Sequence, residues 1–136
     1  MLYKLVDNKP VEYNFDTTKR IVLCGVPGAF TPGCTKRHLP GFASNLKELK
    51  EKNIDKIVFV AVNDAFVMDA WNKIHGHGDI DAVSDPLCLY NDSINEGVDY
   101  GPTMGKRCNR YAVLIENGVI VRKFNDPFIE GVLNEL

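Results

Sequence analysis

Two nearly continuous apolar runs rich in β-branched residues, Ile21 to Val26 and Ile57 to Val62, constrain this chain more than any other feature. Runs of that kind read as strands covered on both faces, the pattern of a parallel sheet. Between them Leu39, Phe42, Leu46 and Leu49 recur at helical spacing, with charged residues from Lys47 to Lys52 around the last turns. Strand, helix, strand in that order predicts a parallel pair joined by a right-handed crossover. Pro40 falls inside the helical pattern and is expected to kink or break it.

The remaining segments extend the same architecture. Val11 to Asp16 alternates apolar and polar residues, a short strand entering a turn at Asp16-Thr-Thr-Lys. Asn63-Asp64 caps a second helix with Phe66, Val67, Ala70, Trp71 and Ile74 on one face, ending before the glycines of His75-Gly-His-Gly. Tyr111 to Ile115 and Val119 to Arg122 flank Asn117-Gly118, a strong hairpin signal. Asp126-Pro127 starts a terminal helix with Phe128, Ile129, Val132, Leu133 and Leu136 inward. The order βαβα, hairpin, α is that of a thioredoxin-like α/β fold, a central mixed sheet flanked by helices. At 136 residues, without repeats or linker-like tracts, the chain reads as one such domain over residues 1–136.

Charge and cysteine usage exclude several function classes. A formal net charge of −2, with both signs scattered, lacks the basic footprint of a nucleic-acid binder. No window approaches the roughly 18 apolar residues that span a bilayer, and Met1-Leu-Tyr-Lys lacks a signal-peptide pattern. The expected location is the cytoplasm, or an organelle lumen if a targeting segment stands upstream. Cys24, Cys34, Cys88 and Cys108 form no C-x-x-C pair and no Cys/His metal spacing, which favours reduced thiols over a secreted disulfide framework.

Of these cysteines, Cys34 carries the chemistry. The run Pro27-Gly-Ala-Phe-Thr31-Pro-Gly-Cys34 places it where an apolar strand gives way to a helix start, among unpaired N–H groups and the positive end of a helix dipole. Such surroundings favour thiolate, the nucleophilic form. Arg110, at the entry to an apolar strand beside Tyr111, supplies a permanent cation that can stabilise the sulfur anion and polarise an oxygen under attack. Thr31 offers a hydroxyl to a bound oxygen, and Pro27 shapes the loop and shields the thiol. The plainer alternatives are a helix cap for Thr31 and a surface ion pair for Arg110; the two Thr31 roles are compatible. His38 would lie one helical turn beyond Cys34, either packed and hydrogen-bonded or tuning the thiol. His75 and His77 have no acidic or thiol partner at a metal-binding spacing, so no metal site is expected. Lys36 and Arg37 read as solvated cations beside the Cys34 loop. Trp71 and Phe66 read as core or interface aromatics, which leaves a homodimer open beside a monomer.

The strings GVPGAFTPGCTKRHLPGF, VAVNDAFVMDAW and RYAVLIENG closely resemble the atypical peroxiredoxins of the type II plant and mammalian peroxiredoxin-5 group, over Ile21 to Phe124. The resemblance implies a thiol-dependent peroxidase in which Cys34 attacks the O–O bond of hydrogen peroxide or an alkyl hydroperoxide and becomes a sulfenic acid. Thr31 and Arg110 would hold the peroxide oxygens, aided by the N–H of Gly28 or Cys34, and Pro27 would close the pocket; no metal, haem or flavin is required. Some members of the group carry a resolving cysteine twenty-five positions after the peroxidatic one, where this chain has Phe59, and others near the C-terminus, where Phe124 to Leu136 has none. A one-cysteine enzyme is therefore implied, reduced by glutathione, through glutaredoxin, or by thioredoxin. Cys24 and Cys88 read as core residues and Cys108 as the most exposed of the three, and all stay open as unorthodox resolvers. A disulfide oxidoreductase would want C-x-x-C or C-x-x-S, whereas Arg37 holds that last position; a non-catalytic redox sensor or interaction module on the same fold remains the alternative.

Overall fold

The computed structural model describes all residues 1–136. The two apolar runs are strands β3 (Ile21–Gly25) and β4 (Lys56–Ala61), paired in parallel with Cys24 opposite Phe59. β5 (Ile80–Ser84) adds a further parallel strand that the sequence pattern concealed. Its Asp81 and Ser84 break the apolar run, yet the whole strand is buried. Hairpins close both edges: β1 (Leu2–Val6) with β2 (Lys9–Tyr13), and β8 (Tyr111–Glu116) with β9 (Val119–Lys123). The resulting order is β2-β1-β5-β4-β3-β8-β9, with β8 antiparallel to β3. Asn117 and Gly118 take positive φ at the β8–β9 turn, as a two-residue hairpin requires.

Strand alternation divides the core. Val22, Cys24, Phe59 and Ala61 face α1 (Leu39–Ala43), α2 (Leu46–Glu51), α3 (Ala65–His75) and α5 (Ile129–Glu135), while Leu23, Val58, Val60 and Tyr111 face the other side. A short helix α4 (Leu89–Ser93) and an outlying hairpin, β6 (Gly97–Asp99) with β7 (Lys106–Cys108), fill the stretch before β8.

Three helical expectations are corrected. Pro40 does not break its helix. Lacking an N–H, it cannot bond four residues back, and the turn ahead widens into a π-turn over Cys34–His38, in which the Leu39 N–H reaches the Cys34 carbonyl. The break falls at Ser44-Asn45, where the Asn45 amide donates to the Gly41 carbonyl at 2.7 Å and ends α1. In α3 the Asp64 carboxylate accepts from the Val67 N–H as expected, but the inward face is Ala65, Met68 and Trp71; Phe66 and Ile74 are 53% and 67% exposed. Lastly, α5 begins at Ile129, so Pro127 lies in the turn before it, with Asp126 accepting from the Phe128 N–H.

One buried carboxylate ties the sheet edge together. Asp81 on β5 accepts from Lys4 Nζ and Tyr13 Oη, both at 2.8 Å, with Lys56 Nζ at 3.5 Å. Burial works against its charge, but these donors and cations prevail and hold its carboxyl below the usual range. Stability from this group is thus present above the ordinary carboxylate pKa of about 4 and is lost as pH falls below it. Asp81→Asn should lower the unfolding free energy at pH 7 by about 1–3 kcal/mol, and urea titrations at pH 7 and pH 3 should show the gap between the two proteins shrinking in acid.

Candidate active site

Register delivers the site. Gly25 pairs with Tyr111 across β3 and β8, so the residues just beyond each strand, Val26 and Arg110, arrive at the same end of the sheet. The pairing is close: a Cβ on Gly25 would collide with the Tyr111 ring, so only glycine fits. The Tyr111 hydroxyl donates to Asn91 Oδ1 at 2.6 Å and holds that ring in place. On the other side of Arg110, Asn109 is fixed to Glu96 through its backbone N–H and its side-chain amide. The arginine backbone is therefore clamped on both sides.

From that position the guanidinium makes two bonds. Arg110 Nη2 donates to Cys34 Sγ at 3.1 Å and Nη1 to His38 Nδ1 at 2.8 Å. Cys34 and His38 are both wholly buried, one at the start of the π-turn and the other at its end. Since arginine has no acceptor, His38 Nδ1 must be the unprotonated nitrogen, and Nε2 carries the hydrogen it donates to the Pro127 carbonyl at 2.9 Å. Burial first, and the charge of Arg110 second, push the His38 pKa down to about 3, so the ring is neutral across the physiological range. The rings of Phe42, Phe59 and Phe128 enclose it at 5.6, 5.0 and 5.0 Å between centroids.

The loop above the sulfur is held from several sides. Arg107, which the sequence reading passed over, donates from Nη1 to the Pro27 carbonyl at 3.1 Å and from Nε to the Met104 carbonyl at 2.8 Å. Gly28 lies so close that a Cβ there would stand 2.7 Å from Arg107 Nη1. The Thr31 hydroxyl donates to the Gly28 carbonyl, and the Asn63 side chain accepts from the Ala29 N–H. Thr31 stands at the cap position of the helical turn that begins at Pro32, its carbonyl accepting from the Thr35 N–H, but its side chain bonds the Gly28 carbonyl rather than a helix N–H. Its lone pairs remain free to accept another bond. Trp71 Nε1 donates to Thr35 Oγ1 at 2.9 Å, so the chain's single tryptophan is bonded to the residue next to Cys34.

Cys108 overturns an expectation. Far from being exposed, it has no accessible surface, lies under the Val26 carbonyl with Sγ at 3.1 Å, and has its pKa pushed up by burial to about 12. Cys24 is equally buried and its thiol raised by desolvation, and Cys88 is buried with Sγ 3.6 Å from the Arg107 carbonyl. All four cysteines are free thiols. No helix is long and apolar enough to cross a membrane.

The Redoxin family pattern matches residues 3–136, nearly the whole chain. The chain is 38% identical over 133 residues to the Peroxisomal membrane associated protein 20 of Schizosaccharomyces pombe, covering 94% of this chain and 85% of that protein. The chain belongs to the peroxiredoxins. It is also 42% identical over 112 residues to the chloroplastic Peroxiredoxin-2E of Arabidopsis thaliana, matching 75% of its own length but spanning only 45% of that relative. Among solved structures, reduced Prx3 of Vibrio vulnificus in complex with hydrogen peroxide superposes with a TM-score of 0.90 at 32% identity, covering 98% of this chain and 91% of that one. The fold is thereby the thioredoxin-like one expected, and peroxiredoxins are thiol-dependent peroxidases.

Because Arg107 ties the Pro27–Gly28 corner to the β6–β7 hairpin, Arg107→Met should lower stability by about 1 kcal/mol. It should also speed hydrogen exchange of the Thr31 amide, which is bonded to the Gly28 carbonyl at 3.4 Å. An unchanged exchange rate would show that the corner does not need the brace.

Proposed function

We propose that residues 1–136 act as one peroxiredoxin unit that reduces hydrogen peroxide and small alkyl hydroperoxides, with Cys34 as nucleophile and Pro27, Gly28, Thr31 and Arg110 forming the peroxide site. The contact between Arg110 Nη2 and Cys34 Sγ carries this reading. Cys34 attacks the nearer peroxide oxygen as thiolate; an S–O bond forms as the O–O bond breaks, sulfur is oxidised by two electrons to sulfenic acid, and the departing oxygen takes the equivalent of the proton the thiol gave up and leaves as water or alcohol. Arg110 donates to the oxygen on which charge grows. Thr31, its own O–H committed to the Gly28 carbonyl, accepts from a peroxide O–H and so orders the two oxygens. The complete burial of Cys34 favours small peroxides over bulky ones.

Regeneration follows a one-cysteine cycle. An outside thiol attacks the sulfenic sulfur with loss of water, and a second thiol displaces the mixed disulfide, restoring Cys34. The burial of Cys24, Cys88 and Cys108, and of Phe59 where some relatives carry a resolving cysteine, supports an external reductant. Glutathione, through glutaredoxin, or thioredoxin fits that role, with Lys36 and the exposed Arg37 as cations beside the loop. An exposed apolar row of Phe66, Ala70 and Ile74 on α3 supports self-association of two chains. The chloroplastic and peroxisomal names of two relatives favour an organelle over the cytosol.

Cys34→Ser should leave the fold intact and abolish peroxide consumption, and Thr31→Val, which keeps the shape but removes the hydroxyl, should slow it roughly 100-fold. One equivalent of peroxide should yield a sulfenic acid on Cys34 that glutathione converts to an adduct by mass spectrometry. A disulfide to Cys24, Cys88 or Cys108 would replace the one-cysteine cycle. A single stoichiometric reaction without turnover would make the chain a sensor instead.

A further inference from the structure

The bond from Arg110 to Cys34 is only one end of a chain of contacts. Its other end lies in the turn before α5, where the Pro127 carbonyl takes the His38 Nε2 hydrogen and the Phe128 ring is flanked by two guanidinium groups, Arg37 at 3.7 Å and Arg110 at 5.2 Å from its centroid. A guanidinium on a flexible stem needs a fixed acceptor to choose one orientation, and the second arm of Arg110 finds none nearer than His38 Nδ1 at 2.8 Å.

We propose that His38 is a positioning residue for the peroxidase reaction: its unprotonated Nδ1 anchors one arm of Arg110 so that the other stays on Cys34 Sγ, and the Pro127 carbonyl fixes the tautomer that makes Nδ1 an acceptor. The turn before α5 thereby becomes part of the catalytic support, although it contributes no atom to the reaction. His38 does not exchange a proton with substrate; it is enclosed by Phe42, Phe59 and Phe128 and wholly buried.

This inference rests on the peroxidase reading, and paired substitutions separate it from simple packing. Asn and Leu both branch at Cγ and carry the same number of side-chain heavy atoms, but Asn buries an amide among the phenylalanine rings and should be the less stable of the two, so packing alone would make it no faster than Leu. Only Asn carries an oxygen where Nδ1 stood. By stopped-flow fluorescence of Trp71, His38→Leu should react with hydrogen peroxide about tenfold or more slowly than the unaltered protein, while His38→Asn stays within about threefold of it. Equal losses in both variants, or a faster Leu variant, would overturn the positioning role. The unaltered protein supplies an independent reading: the 15N spectrum of His38 should show hydrogen on Nε2 and none on Nδ1 at neutral pH, and hydrogen on Nδ1 would overturn the proposal even if neither variant folds. An unaltered protein that consumes no peroxide would sink the peroxidase reading, while the nitrogen spectrum still decides the His38 arrangement.

Discussion

The shared guanidinium of Arg110 is the contact on which the rest of the site depends. An arginine cannot lose its charge and cannot accept a hydrogen bond, so placing it against a buried thiol and a buried imidazole determines what both can be. The imidazole must face it with a bare nitrogen, and the sulfur must face it as an acceptor. None of this survives a shift in strand register, because Arg110 is brought to the sulfur only by the pairing of Tyr111 with Gly25. The absence of a side chain at Gly25 is thus as much a part of the site as the thiol is.

Helix geometry supplies the matching half. Were the turn from Cys34 to His38 purely α-helical, residues four apart would stack directly. Pro40 removes one N–H and the turn widens, yet both side chains still meet the same guanidinium. A π-turn inside a short helix is uncommon and recurs at functional positions; here its origin is a proline that pattern reading alone would assign as a breaker.

What was legible in the sequence was what is local. Pro27, Thr31 and Cys34 share one loop, and Arg110 announces itself as a charge at the mouth of an apolar strand. Arg107 was hidden because it bonds the main-chain carbonyl of Pro27, and the tautomer of His38 because the carbonyl that takes its Nε2 hydrogen is that of Pro127, both far away along the chain. β5 was hidden by Asp81, whose charge is compensated by Lys4, Tyr13 and Lys56 from other strands. Cys108 looked exposed because charged and polar neighbours surround it, yet strand alternation turns its thiol under the Val26 carbonyl. In α3 the apolar spacing of Phe66 and Ile74 was real, but the Asp64 cap sets the phase of the helix and sends that row outward.

In the proposed reaction the forked geometry of Arg110, rather than its charge alone, prepares Cys34 for peroxide. Stopped-flow measurement of the second-order rate constant for hydrogen peroxide with Arg110→Lys tests this most directly, since lysine keeps the charge but has no second planar arm to hold His38 while reaching sulfur. A loss of roughly 100-fold in an otherwise folded protein is the expected result; a rate within about threefold of the unaltered protein would mean that charge alone suffices and the fork is not needed.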